Sequence, residues 1–273
     1  MSTCSERRIG LSGPAGGKEG SWQRQEFAIA EGRRMHDTVE LLERESFLLT
    51  LSTLLAEASA GDGRLLMIGG EAGVGKTSLV QRFCLENRQS TRVLQGACDP
   101  LTTPRPLCPL LAIPGVLGVD LVELVSSGGS RTVVFESFLN YLARPGKPNL
   151  VVFEDLHWAD ESLSVLNWLF DTARRSPLLM IGTYRDDERP TLPAEYPEAR
   201  HINLSRLSSD SIAQLSASML GKAGNMQGVL TLLERETEGN VFFIVEAVRM
   251  LAEEAGGLAN VGHLIHGTLD GVV

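Results

Sequence analysis

The sequence has no apolar run of about 18 residues, the length a helix needs to span a bilayer, and its first residues carry no signal-peptide apolar core. A cytoplasmic chain with no membrane partner is therefore expected. Positive charge is also in short supply: 25 Lys and Arg stand against 34 Asp and Glu, a net charge of −9. Surfaces that track nucleic acid are usually basic, so direct nucleic-acid binding is not expected of the chain as a whole. Cysteine is scarce, and Cys4, Cys84, Cys98 and Cys108 show no CxxC spacing. They read as buried or bystander thiols that imply neither a disulfide framework nor a thiolate metal site.

What is present is an ordinary globular composition, 43% hydrophobic over 273 residues. That is enough for one α/β domain of about 200 residues and a smaller helical piece. One stretch dominates. The apolar run Leu65-Leu66-Met67-Ile68 stops at Gly69-Gly70-Glu71-Ala72-Gly73-Val74-Gly75-Lys76-Thr77-Ser78 and re-emerges as the amphipathic Leu79-Val80-Gln81-Arg82-Phe83. Gly70, Gly75, Lys76 and Thr77 fill the Walker A pattern in the strand-then-helix context the pattern requires. Gly70, Gly73 and Gly75 let the backbone take positive φ and turn its N–H groups toward phosphate oxygens at the positive end of a helix. Lys76 would neutralise β and γ phosphates, and the Thr77 hydroxyl would ligate a Mg²⁺ that keeps most of its waters.

Along the chain, residues 1–34 have few apolar positions and include Gly13-Pro14-Ala15-Gly16-Gly17, which predicts a disordered leader. Met35 is a second candidate start of translation. Phe47, Leu48, Leu51, Leu54 and Leu55 form a helical stripe that Gly61-Asp62-Gly63 ends. Arg92-Val93-Leu94-Gln95 reads as a strand, and Pro104 and Pro106 force extended backbone after it. Residues 113–129 give no clear pattern. A helix from Arg131 through Leu142 is broken by Pro145 and Pro148.

A second constellation follows. Asn149-Leu150-Val151-Val152-Phe153 is the continuous apolar run of a strand buried on both faces, and it ends in Glu154-Asp155. This is a Walker B signature. Carboxylates belong at that edge because ligands of open α/β sheets bind there, where one acid holds the Mg²⁺ water shell and a second orients or deprotonates the attacking water. The register assigns Glu154 to the metal and Asp155 to the water. A helix through Leu163, Leu166, Leu169 and Phe170 leads to another buried strand, Leu178-Leu179-Met180-Ile181-Gly182. Thr183 and Arg185 at its end are candidates to sense the γ-phosphate. His157 reads as a structural histidine and Trp158 as a packing residue. His263 and His266 lack companions for a metal site.

Gly70 to Thr77, Gly96-Ala97-Cys98-Asp99-Pro100-Leu101 with Thr103-Pro104-Arg105-Pro106-Leu107, Glu154-Asp155-Leu156-His157-Trp158-Ala159-Asp160 and Gly182-Thr183-Tyr184-Arg185-Asp186-Asp187-Glu188 together resemble one family over residues 41–255. It is the AAA-type, origin-recognition-like ATPase module of the STAND signalling NTPases, as found in large LuxR-type transcription regulators and some adenylate cyclases. The resemblance implies an α/β P-loop NTPase fold, with a five-stranded parallel sheet flanked by helices and a small helical lid behind it. The implied divisions are a leader at 1–34, an ATPase core at 35–205, a lid at 206–256 and a flexible tail at 257–273. It also implies that Arg44, in Leu42-Glu43-Arg44-Glu45, lies near the nucleotide base.

Implied too are ATP or ADP with Mg²⁺ at Gly70 to Ser78, and catalytic roles for Glu154, Asp155 and Arg185. The expected function is an ATP-binding, slowly hydrolysing switch with a protein partner or self-association. The alternatives are a nucleotide-locked interaction module and a small-molecule phosphotransferase. No Asn/Thr-Lys-x-Asp or Leu-Ser-Gly-Gly motif occurs, which disfavours GTP and an ABC-type ATPase. Two departures stand out. Gly239-Asn240-Val241-Phe242 replaces the family's Gly-Asn-Pro-Phe, and the sequence stops at Val273 where family members continue into helical repeats and a helix-turn-helix. A truncated regulator lacking its DNA-binding domain is one reading of the second.

Overall fold

The computed structural model describes residues 41–97, 110, 113, 131–158 and 163–255. The leader at 1–34, Met35, the Pro104–Pro106 stretch, most of 113–129, the tail at 257–273, His263, His266, Cys4, Cys98 and Cys108 lie outside them.

Five parallel strands form one sheet. They are β1 (Arg64–Gly69), β2 (Arg92–Ala97), β3 (Asn149–Glu154), β4 (Leu178–Thr183) and β5 (Arg200–Asn203). Their spatial order is β2-β3-β4-β1-β5, and every neighbouring pair is parallel. The order matters for the chemistry. Strand β4 lies between β1 and β3, so the segments leaving the C-terminal ends of all three emerge side by side. These are the phosphate loop, Thr183 and the Glu154-Asp155 pair.

Side-chain alternation sorts the apolar strand residues onto two faces. On one face Leu66, Ile68, Leu150, Val152, Leu179 and Ile181 pack against α1 (Glu45–Ser59) and α2 (Lys76–Asn87), through Leu51, Leu55, Leu79, Val80 and Phe83. On the other, Leu65, Met67, Val151, Phe153, Leu178 and Met180 meet α3 (Arg131–Leu142) and α4 (Leu163–Ala173), through Phe138, Leu142, Leu169 and Phe170. Helices therefore cover both faces of the parallel sheet, as its continuous apolar strands require.

A short helix, α5 (Leu192–Glu195), precedes β5. Strand β5 has only four residues and exposed or half-buried side chains. It pairs with β1 alone, at the edge of the sheet. After it come α6 (Ser209–Leu220), a 3-10 turn at Gly221–Asn225, α7 (Gln227–Thr237) and α8 (Val241–Glu254), which pack on one another. Side-chain caps set two of their starts: the Ser208 hydroxyl accepts from the Ser211 N–H, and the Asn240 side chain accepts from the Phe242 N–H. Helix α7 is stopped by Glu238 and Gly239, both at positive φ. A Cβ on Gly239 would sit 2.3 Å from the Leu207 carbonyl oxygen, so the turn between α7 and α8 presses on the segment after β5.

Candidate functional site

The loop between β1 and α2 has the backbone that its glycines predict. Gly70, Gly73 and Gly75 have φ of 143°, 77° and 101°, and Gly75 stands immediately before the first turn of α2. Glu71, Ala72 and Val74 complete the bend, with Val74 fully buried. Lys76 and Thr77 open the helix, followed by Ser78. The Lys76 side chain is only 8% exposed, and it folds back on its own loop. Its Nζ donates to the carbonyl oxygens of Gly70 at 2.6 Å and Glu71 at 2.8 Å. Burial lowers its pKa, while the Asp155 carboxylate pulls in the opposite direction.

The two Walker segments meet directly. The Thr77 hydroxyl donates to Glu154 Oε2 at 2.7 Å across 77 residues of sequence. Burial raises the Glu154 pKa, and the Thr77 hydrogen bond only partly offsets it. A hydroxyl and a carboxylate in contact at the sheet edge form the donor set that Mg²⁺ uses when phosphates and waters supply the remaining ligands. Among the described residues no cluster of three or more His, Cys, Asp or Glu could hold a metal without such help.

Asp155 differs from its neighbour. It has φ of 59°, a left-handed conformation that Asp tolerates better than most residues. Its N–H donates to Thr183 Oγ1 at 3.2 Å, so the buried threonine at the end of β4 pins the turn that aims the second carboxylate. Arg185, two residues further on, pairs with Glu188. His157, whose side chain is 1% exposed, lies 3.5 Å from Glu188 Oε2 and 4.0 Å from Asp155 Oδ1. Burial lowers its pKa against the pull of both carboxylates. It is buried between the Asp155 and Glu188 carboxylates.

Arg44 lies beneath the phosphate loop. It is 3% exposed, and its Nη2 donates to the carbonyl oxygens of Val74 at 3.2 Å and Ser205 at 2.8 Å. Three contacts to the loop escaped sequence reasoning, and all of them come from residues after β5. Asn240 Nδ2 donates to the Ala72 carbonyl oxygen at 2.8 Å, and the Phe242 N–H to that of Gly73 at 3.0 Å. Arg206 holds the Glu71 carboxylate with two nitrogens, one at 2.9 Å, and also grips Glu238. Asn240 carried a signal, since Asn before an apolar helix marks a cap. Arg206 carried none. Cys84 is a buried free thiol whose pKa is pushed up to about 12, first by burial and then by Glu154.

The profile of the AAA ATPase domain matches residues 40–181. No curated protein sequence matches the chain. Similar solved structures include Orc1 of Aeropyrum pernix in complex with DNA, 14% identical with a TM-score of 0.57, over 85% of this chain and 66% of that one. A chain of the HORMA:CdnC:Trip13 complex of E. coli MS115-1 is 12% identical with a TM-score of 0.57, over 87% and 91%. Cdc6p of Pyrobaculum aerophilum is 14% identical with a TM-score of 0.56, over 81% and 65%. The chain thus spans about two thirds of the Orc1 and Cdc6p chains, and at these identities the likeness is one of fold. Among the described residues no helix is long and apolar enough to cross a membrane.

Proposed function

The chain belongs to the AAA ATPase domain family, and from that premise we propose that it is an ATP-binding, slowly hydrolysing switch of the kind found in LuxR-type STAND regulators. The contact between Thr77 and Glu154 carries the reading, because it joins the end of a glycine-rich phosphate loop to the acidic end of β3. In this reading the N–H groups from Gly73 to Ser78 bind the phosphates at the positive end of α2. Lys76 exchanges its two loop carbonyls for phosphate oxygens. Thr77 and Glu154 hold Mg²⁺, which when bound supplies charge neutralisation on the phosphates.

Asp155 orients the attacking water and accepts its proton, held in place through the Thr183 hydroxyl. Arg185 leaves Glu188 to reach the γ-phosphate. The helices from 206 to 256 act as a lid over the core at 35–205, so that function is a population shift and not metabolite turnover. The acidic net charge supports a protein partner or a second copy over nucleic acid.

A nucleotide-locked interaction module is the second reading, favoured by the C-terminal segment already seated on the loop through Asn240 and Phe242. Titration of the full chain with Mg-ATP and Mg-ADP, followed by single-turnover hydrolysis, tests both. The switch requires binding of both nucleotides and slow conversion of ATP to ADP. Binding without conversion would favour the locked module, consumption of ATP that depends on an added metabolite a phosphotransferase, and no binding at all would sink every nucleotide-dependent reading.

A further inference from the structure

Every carbonyl oxygen from Gly70 to Gly75 accepts a hydrogen bond, and the donors divide into two groups. Inside the motif, Lys76 Nζ holds Gly70 and Glu71, and the Leu79 N–H holds Gly75 at 3.0 Å. The three carbonyls between them are held from elsewhere in the chain: Ala72 by Asn240 Nδ2, Gly73 by the Phe242 N–H and Val74 by Arg44 Nη2. In a planar trans peptide the carbonyl of one residue and the N–H of the next point in opposite directions. Each of the carbonyls of Ala72, Gly73 and Val74 that is held by an outside donor therefore turns the following N–H, of Gly73, Val74 or Gly75, away from that donor. Those are the amides that an anion at the start of α2 would meet.

The approach is close enough to be specific. A Cβ on Gly73 would lie 2.7 Å from both Asn240 Oδ1 and Phe242 Cβ. Asn240 is 2% exposed and uses both ends of its amide: Oδ1 caps α8 at the Phe242 N–H, and Nδ2 grips Ala72.

We infer that Asn240, together with the Phe242 N–H, is a positioning element that aims the phosphate-binding amides of the loop, so that the start of α8 sets phosphate affinity through the loop backbone. This rests on the nucleotide-binding reading of the same loop. A base contact would change which nucleotide is preferred, whereas a backbone clamp changes the affinity of anything that carries the phosphates.

The two roles of Asn240 can be separated. Ser is as good a helix cap as Asn but is too short to reach Ala72 and adds no charge. In the full chain, Asn240→Ser should lower the ligand-free thermal midpoint by no more than about 4 °C, the scale of one lost hydrogen bond, while affinities for Mg-ADP and for Mg-pyrophosphate fall together by about five- to tenfold. The ratio of ADP to GDP affinity should not move. Should the Ser variant fold poorly, Asn240→Thr also keeps a hydroxyl cap without adding charge, cannot donate as the amide does to the Ala72 carbonyl and should show the same joint loss. Unchanged pyrophosphate affinity, or a shifted ADP to GDP ratio, would overturn the inference. Wild-type protein that binds neither ADP nor pyrophosphate would instead overturn the nucleotide reading, and the inference with it.

Discussion

The phosphate loop and the Gly239–Phe242 turn are two short glycine-containing segments in contact, and they differ in how they obtain their shape. The loop carries its own instructions in three positive-φ glycines, a lysine folded back on two of its carbonyls and a helix directly behind. The turn is shaped by its surroundings: Gly239 lies against Leu207, and Asn240 and Phe242 against the loop itself. A contiguous motif can be recognised in isolation, whereas a segment whose partners lie some 170 residues away shows only its local half, here a helix cap.

The largest expected effects fall on the loop's side of this comparison. Asp155→Asn should keep Mg-ATP binding and slow single-turnover hydrolysis by about 100-fold or more, the usual scale for a lost general base. Asn also tolerates the left-handed backbone at this position, so the fold should be retained. Glu154→Gln should instead weaken the Mg²⁺ dependence of ATP binding. The reverse pattern in the two variants would exchange their roles.

Lys76→Ala comes next. Loss of a charge-assisted phosphate contact costs about 1.5 to 3 kcal/mol, so ATP affinity measured by titration should fall about 10- to 100-fold. Unchanged affinity in a folded variant would remove Lys76 from the phosphate site.

Effects on the turn's side should be smaller. Val241 is the first residue of α8, where a missing N–H costs no intrahelical bond. Asn240 before it has φ of −73° and ψ of 119°, extended backbone that suits a residue preceding proline. Val241→Pro, which restores the family's Gly-Asn-Pro-Phe, should therefore stabilise the chain by about 0.4 to 1 kcal/mol and raise its thermal midpoint. A lower midpoint would show that the turn does not accept the family geometry.

The smallest effect concerns Arg206, which joins the two segments from outside. Its hydrogen bonds hold the Glu71 carboxyl below the ordinary carboxylate range, with lesser help from Asn240 and Lys76. A lowered folded pKa contributes stability above the unfolded value, and that stability is lost as pH falls from there through the folded value. Arg206→Gln should flatten this acid-side loss and cost no more than about 2 °C of thermal midpoint at neutral pH, because the pair is largely solvent-screened. An acid unfolding profile identical to wild type would mean that the Arg206 contact adds nothing.

The same contrast explains what the sequence made legible. The apolar runs at Leu65, Asn149 and Leu178 became β1, β3 and β4, and the Arg131 to Leu142 stripe became α3 with those bounds, because each pattern is continuous and periodic. The edge strand β5 was not readable, since four residues with half-exposed side chains carry no apolar run. Arg44 was expected near the base from resemblance, and it lies under the loop on the Val74 and Ser205 carbonyls. The Walker acids could be read as a pair at a strand end. The threonine that fixes their turn could not be linked to them, because Thr183 meets Asp155 only through strand order.

Hydrogen exchange over residues 239–254 of the full chain, without nucleotide and with saturating Mg-ADP or Mg-ATP, tests most directly whether the loop controls the C-terminal helices. A switch requires amide protection in the Asn240 turn and α8 that differs between the ADP-bound and ATP-bound chain. Equal protection in all three conditions, in a protein that binds both nucleotides, would contradict it.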